Sequence, residues 1–183
     1  YVWWYPERPE MTKDDPAAGH IDGDTLRVTL DQHGRPAIFE VLQSCGCGHL
    51  IFVSDELEKR AKEWFGAPVE GKTLCVGQNS SQRFDLIVGG LVHIPQDAFR
   101  PAVYVVAGYH EVSRVDVTSA SQIPDLKVHE QHTYDLAPYD RLERLPLGKS
   151  VASMFGADGL VHNAGRKEGV LLAPTGMLSA GQP

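Results

Sequence analysis

Cysteine is scarce in this chain. Three cysteines in 183 residues cannot form a complete set of disulfides. Basic residues are also in the minority, 17 against 24 acids, for a net charge of −7. That balance leaves no cationic footprint for a phosphate backbone, so a nucleic-acid partner is not expected. No apolar run approaches the ~18 residues of a membrane-spanning helix, and no transmembrane segment is expected. Apolar residues at 42% and charged residues at 22% exclude wholesale disorder, collagen and coiled coil. A chain of this length buries roughly two-thirds of its unfolded surface, enough for a core without cross-links.

The signatures of several familiar chemistries are missing as well. Gly148-Lys149-Ser150 resembles the end of a phosphate-binding loop, but Glu143 stands where the loop's first glycine belongs. No nucleotide is therefore expected. There is no Gly-x-Ser-x-Gly elbow for a serine hydrolase. Cys45-Gly-Cys47-Gly-His49 has the wrong thiol spacing for a c-type haem. Cys75 is followed three places on by Gln78 rather than His, so a histidine-ligated iron–sulfur site is incomplete. Asn79-Ser80-Ser81 fits the glycosylation tripeptide, a pattern common by chance. Tyr1 in place of Met fits a processed exported or periplasmic chain or a fragment, and leaves the compartment open.

What is present reads as an α+β fold, β-rich, with a mainly antiparallel sheet and one clear helix. Residues 1–24 combine the aromatic knot Val2-Trp3-Trp4-Tyr5 with Pro6, Pro9, Pro16 and Gly19, which reads as an irregular arm. Residues 25–183 read as a single β-rich domain with a Gly/Pro-rich, irregular C-terminal third. Leu26, Val28 and Leu30 alternate with polar neighbours as in a half-buried strand. Asp31 to Pro36 then forms a hairpin loop, and strands follow at Ala37–Gln43 and Leu50–Val53. Ser54 as cap, Asp55 and Glu56 in the first turn and Gly66 as stop predict a helix over 55–65. Its buried face would carry Leu57, Ala61, Trp64 and Phe65. Further strands are predicted at Thr73–Val76, Phe84–Ile94, Ala102–Tyr109, Val112–Val117, Leu160–Asn163 and Gly169–Ala173. The unbroken apolar run Val103–Ala107 suggests a central strand covered on both faces.

One chemical cluster stands out. Cys45, Cys47 and His49 lie at i, i+2 and i+4, so in extended backbone they share one side. The intervening glycines allow tight bending around a bound atom. Two thiolates and an imidazole suit zinc or copper, with a fourth ligand from Cys75, His129, His132 or His110. His129 and His132, three apart, would adjoin each other only on a helix. A closed shell would make the metal structural or carried; an open position would allow a metal-assisted reaction. Two other readings remain. The chain is a noncatalytic assembly module docking through the Val2–Tyr5 arm or the C-terminal third, or a thiol-redox protein using Cys45 and Cys47. Asp22-Gly-Asp24 resembles only a fragment of a calcium loop. Glu40, Glu111 and Asp116 read as carboxylates on a solvated strand face, His93 as a core histidine, and His20, His33 and His162 as facing water.

Overall fold

The computed structural model describes residues 1–15, 18–43, 49–76, 86–96, 99–119, 132 and 134–159. In chain order the elements are β1 (Val2–Arg8), β2 (Gly19–Leu30), β3 (Pro36–Gln43), β4 (His49–Ser54), α1 (Asp55–Phe65), β5 (Leu86–Val92), β6 (Phe99–Val105) and β7 (Val112–Ser119). A 3-10 turn at Tyr139–Glu143 then leads to the short strands β8 (Leu145–Leu147) and β9 (Ser150–Ala152). Strands β1 to β5 form one sheet in sequence order, antiparallel except for the β4–β5 pair, which is parallel and bridged by α1. The β-rich α+β reading, with one helix and mainly antiparallel strands, describes this architecture.

Local chemistry explains the boundaries. At the β2–β3 hairpin the Asp31 carboxylate accepts from the backbone N–H groups of His33 at 2.8 Å and Arg35 at 2.9 Å. Those donors, Arg35 first, hold its carboxyl below the usual range. Gly34 takes φ +74°, which the reversal of direction requires. Ser54 Oγ accepts from Leu57 N–H at 3.2 Å at the start of α1, and the Gly66 N–H closes its end on Lys62 O.

Alternation along the strands divides the core between the two sheet faces. Leu26, Phe39, Val41 and Phe52 point to one face, where the β6–β7 hairpin covers them with Val112 and Val115. Ile38, Ile51 and Val53 point to the other, beneath α1 with Ala61, Cys75 and Val76. Further along that second face, Val2 and Trp4 meet Leu142, Leu145 and Met154 of the C-terminal strands.

Several expectations change. Much of the irregular arm foreseen for residues 1–24 is strand: β1 takes 2–8 and the first half of β2 takes 19–24. Trp3 packs on the main core while Val2 and Trp4 pack on the C-terminal cluster, so the aromatics alternate between two burial sites. Pro6 is accommodated because β1 lies at a sheet edge, where a missing N–H removes nothing from the ladder. Thr73–Val76 is not a strand. Glu58 carboxylate oxygens accept from the Cys75 and Val76 N–H groups at 2.7 and 3.1 Å and anchor that segment to α1. Val103–Ala107 is not central either, since among the described residues β6 pairs only with β7, and Val105 and Val106 reach solvent. His93 is exposed, with Nδ1 2.7 Å from Asp55 Oδ2. The strands predicted at 160–163 and 169–173 lie outside the described residues.

Trp64 is 58% exposed, so the buried face of α1 differs from the one its spacing suggests. At about 100° per residue, Leu57, Ala61, Phe65 and the bonded Glu58 span one arc, and Trp64 falls just beyond its Leu57 edge, roughly 75° from the centre, where the ring reaches solvent. Trp64→Ala should therefore lower stability by less than about 1 kcal/mol in urea denaturation, as for a surface substitution. A loss of about 3 kcal/mol, typical of a buried ring, would overturn that placement.

Candidate functional site

The metal centre expected at Cys45, Cys47 and His49 is not supported. Among the described residues, no group of three or more His, Cys, Asp or Glu side chains is placed to hold a metal ion. Cys45, Cys47 and His129 lie outside the described residues. His49 opens β4 and points to the helix-bearing face with Ile51 and Val53. Its Nε2 is 3.6 Å from Glu40 Oε1, with both side chains almost wholly buried. Cys75 lies in the core under α1, its thiol donating to Gly66 O at 3.1 Å. Burial, with Glu58 adding to it, pushes that thiol's pKa up, away from the thiolate a metal requires. His110 is engaged at the other face, and His132 is exposed. The described candidates are thus dispersed.

The structure brings together three polar groups in a row across β2, β3 and β4. Arg27 is the register partner of Glu40, and His49 sits diagonal to Glu40 on the next strand. Arg27 Nη1 lies 3.8 Å from Glu40 Oε2. Neither Glu40 oxygen and neither His49 ring nitrogen makes a hydrogen bond, so both contacts of Glu40 are loose. Glu40 is therefore not the solvated strand-face carboxylate foreseen for it. Glu111 is exposed, and Asp116 is bonded to Arg114 two residues earlier on β7.

Arg27, with its side chain 41% exposed, connects this row to solvent. It lines an open cavity of about 600 Å³ together with Tyr1, Leu26, Val28, Leu30 and Pro101. The cavity follows the outer edge of β2 where β1 stops. Tyr1 and Leu26 exchange both backbone hydrogen bonds at 2.8 Å, and the β1–β2 ladder reaches no further. Since Leu26 bonds toward β1, alternation turns the N–H and C=O of Val28 and Leu30 to the same outer side. No described residue pairs with that side of them.

A second polar cluster lies on the hairpin-bearing face. Asp22 and Asp24 are two apart on β2 and directly opposite Tyr5 and Trp3 of β1. Asp24 is 1% exposed, and neither of its oxygens is hydrogen-bonded. Burial, then Asp22 and Glu111, push its pKa up to about 7 against weaker opposition from Trp3 and Arg8. Burial also raises the Tyr5 phenol, with Asp24 adding to it. The Asp22–Asp24 spacing was visible in the sequence, and β2 alternation could have paired the two carboxylates. Nothing local marks Glu40 or Arg27, because their juxtaposition depends on the β2–β3 register. No helix among the described residues is long and apolar enough to cross a membrane. In comparison with other proteins, no known family, no curated sequence and no solved structure matches this chain.

Proposed function

We propose that this chain is a noncatalytic binding domain that takes an extended polypeptide as an added strand along the free edge of β2. The observation that carries this reading is the outward backbone of Val28 and Leu30 facing the open cavity just where β1 ends. Backbone groups at a strand edge are a template for another extended backbone, and they supply affinity without regard to sequence. The neighbouring side chains define preference. On one face the incoming strand meets Leu26, Val28, Leu30 and Pro101; on the other it meets Arg27. Apolar residues alternating with acids match this lining, with an acid opposite Arg27.

A capped peptide alternating valine and aspartate is the direct probe, titrated while the Val28 and Leu30 amide signals are followed by NMR. Saturable shifts confined to that edge are expected, with a Kd in the micromolar to millimolar range, as suits a few backbone bonds. The valine–lysine counterpart should bind at least tenfold more weakly. Val28→Pro removes the outward donor and leaves β3 pairing intact, so it should abolish binding in a folded protein. Equal affinity for Val28→Pro, or no shifts at millimolar peptide, would refute the reading.

A further inference from the structure

The turn joining β6 to β7 reaches across the sheet and rests on the β1–β2 end. Four contacts hold it there. The His110 ring stacks on Tyr5 with centroids 3.8 Å apart and planes 16° from parallel. His110 Nδ1 lies 2.9 Å from Asp22 Oδ2. The Arg8 guanidinium sits over the Tyr109 ring, 5.8 Å from its centroid. Gly108 is so close to Met11 that an added Cβ would fall 2.7 Å from the thioether sulfur.

The turn's own backbone bonds are few. Val106 N–H donates to Glu111 O and His110 N–H to Val106 O, both at 2.9 Å. Gly108 and His110 both take positive φ, +79° and +56°, and the latter is uncommon for a residue with a side chain. Val105, Val106, Ala107 and Glu111 are exposed. The turn is therefore a clasp secured at its tip and uncovered elsewhere.

Beneath the clasp lies Asp24, buried and without a hydrogen bond to either oxygen. Trp3, Tyr5 and Arg8 of β1, Asp22 of β2, and His110 and Glu111 of the turn are the groups around it. We propose that the β6–β7 turn is a proton-controlled clasp, docked while Asp24 carries its proton and lifted when Asp24 ionises.

A buried carboxylate without hydrogen bonds is strongly disfavoured, and here Asp22 and Glu111 add like charge. Trp3 and then Arg8 oppose them, but the Trp3 indole N–H makes no hydrogen bond to either oxygen and Arg8 also faces Asp15 at 3.9 Å. The ionised group has to reach water. On β2 it is flanked by β1 and β3, both locked in register over many residues. The turn, held by four side-chain contacts, is the wall that can yield without breaking the sheet. The displacement of the Asp24 carboxyl to about 7 places the change near neutrality. Because one proton is linked to the change, the ratio of lifted to docked turn should rise about tenfold per pH unit up to that midpoint.

The test follows the Tyr5 ring protons, the Met11 methyl and the Gly108 amide by NMR from pH 5 to pH 8. It does not depend on strand addition at β2. A common transition centred near pH 7 is expected at these three reporters, with Phe39 and Val115 unchanged because the sheet stays intact. Asp24→Asn, which cannot ionise, should keep the Tyr5 and Met11 signals at their docked positions up to pH 8. If the transition persists in Asp24→Asn, His110, Asp22 or Glu111 drives it and the proposal is wrong. Should that variant fail to fold, direct titration of the Asp24 side-chain carbon in the unaltered protein decides. A midpoint below pH 5 overturns the clasp, and one near 7 shared with the turn reporters sustains it.

Discussion

His49→Leu is expected to lower folding stability by about 3–5 kcal/mol, while the double variant Glu40→Leu/His49→Leu should recover most of that loss. Glu40 is fully buried and has two charged or chargeable neighbours, His49 at 3.6 Å and Arg27 at 3.8 Å. Removing His49 leaves the buried carboxylate with only the half-exposed Arg27 at 3.8 Å to offset its desolvation. Leucine fills much the same space as histidine, so little of the loss would come from a void. Replacing both partners removes the uncompensated charge and joins the site to Ile38, Ile51 and Val53 on the same face. Arg27 is then unpaired but hydrated, since 41% of its side chain is exposed. Urea denaturation of the four proteins in this cycle gives the coupling directly. A neutral His49→Leu would mean that the imidazole does not balance Glu40, and the polar row across β2–β4 would lose its meaning.

Local patterns carried most of the fold. Helix α1 was readable residue by residue, because Ser54, the acidic first turn and Gly66 each act within a few positions. Strands β3, β4 and β7 were similarly plain from β-branched and aromatic runs between turn residues. The failures share a cause, which is that burial is decided by what comes from far along the chain. Residues 1–8 look irregular beside their prolines, yet β2 supplies a pairing partner that overrides the local signal. Val103–Ala107 has the composition of a central strand, but its only described neighbour is β7. Trp64 fits the apolar stripe of its helix, and the segment anchored by Glu58 fills the other side.

The site was less legible still. Ligand-type residues close in sequence drew attention to Cys45, Cys47 and His49, whereas the polar groups the structure assembles are close only in space. Glu40 meets Arg27 and His49 through two strand registers that a one-residue slip would abolish. Asp24 feels the charge of Glu111, 87 positions away, through the folding of the β6–β7 hairpin over the sheet. The period-two spacing of Asp22 and Asp24 hinted at a shared face. What makes Asp24 unusual is the hairpin above it, and no local pattern encodes that covering.

Asp24→Asn should make the protein more stable at pH 8 and leave it nearly unchanged at pH 4. The carboxyl titrates at an ordinary value near 3.8 when unfolded and at about 7 when folded. Below about pH 4 both states hold the proton, and Asp24 exacts nothing. Between these values the unfolded chain releases its proton while the folded chain keeps it, so stability falls as pH rises. Above about 7 both states are ionised and the loss is complete. The interval of roughly three pH units, at 1.36 kcal/mol for each, gives a loss of about 4 kcal/mol. Lifting of the β6–β7 turn would trim this figure, because a hydrated carboxylate in a locally opened protein is penalised less than a buried one. Asparagine has the shape of the protonated acid and no charge at any pH, so it should hold the pH 4 stability across the range. Thermal and urea unfolding of both proteins at pH 4, 6 and 8 measure the gap. A variant whose stability runs parallel to that of the unaltered protein at all three would show that Asp24 ionises in water at its ordinary value.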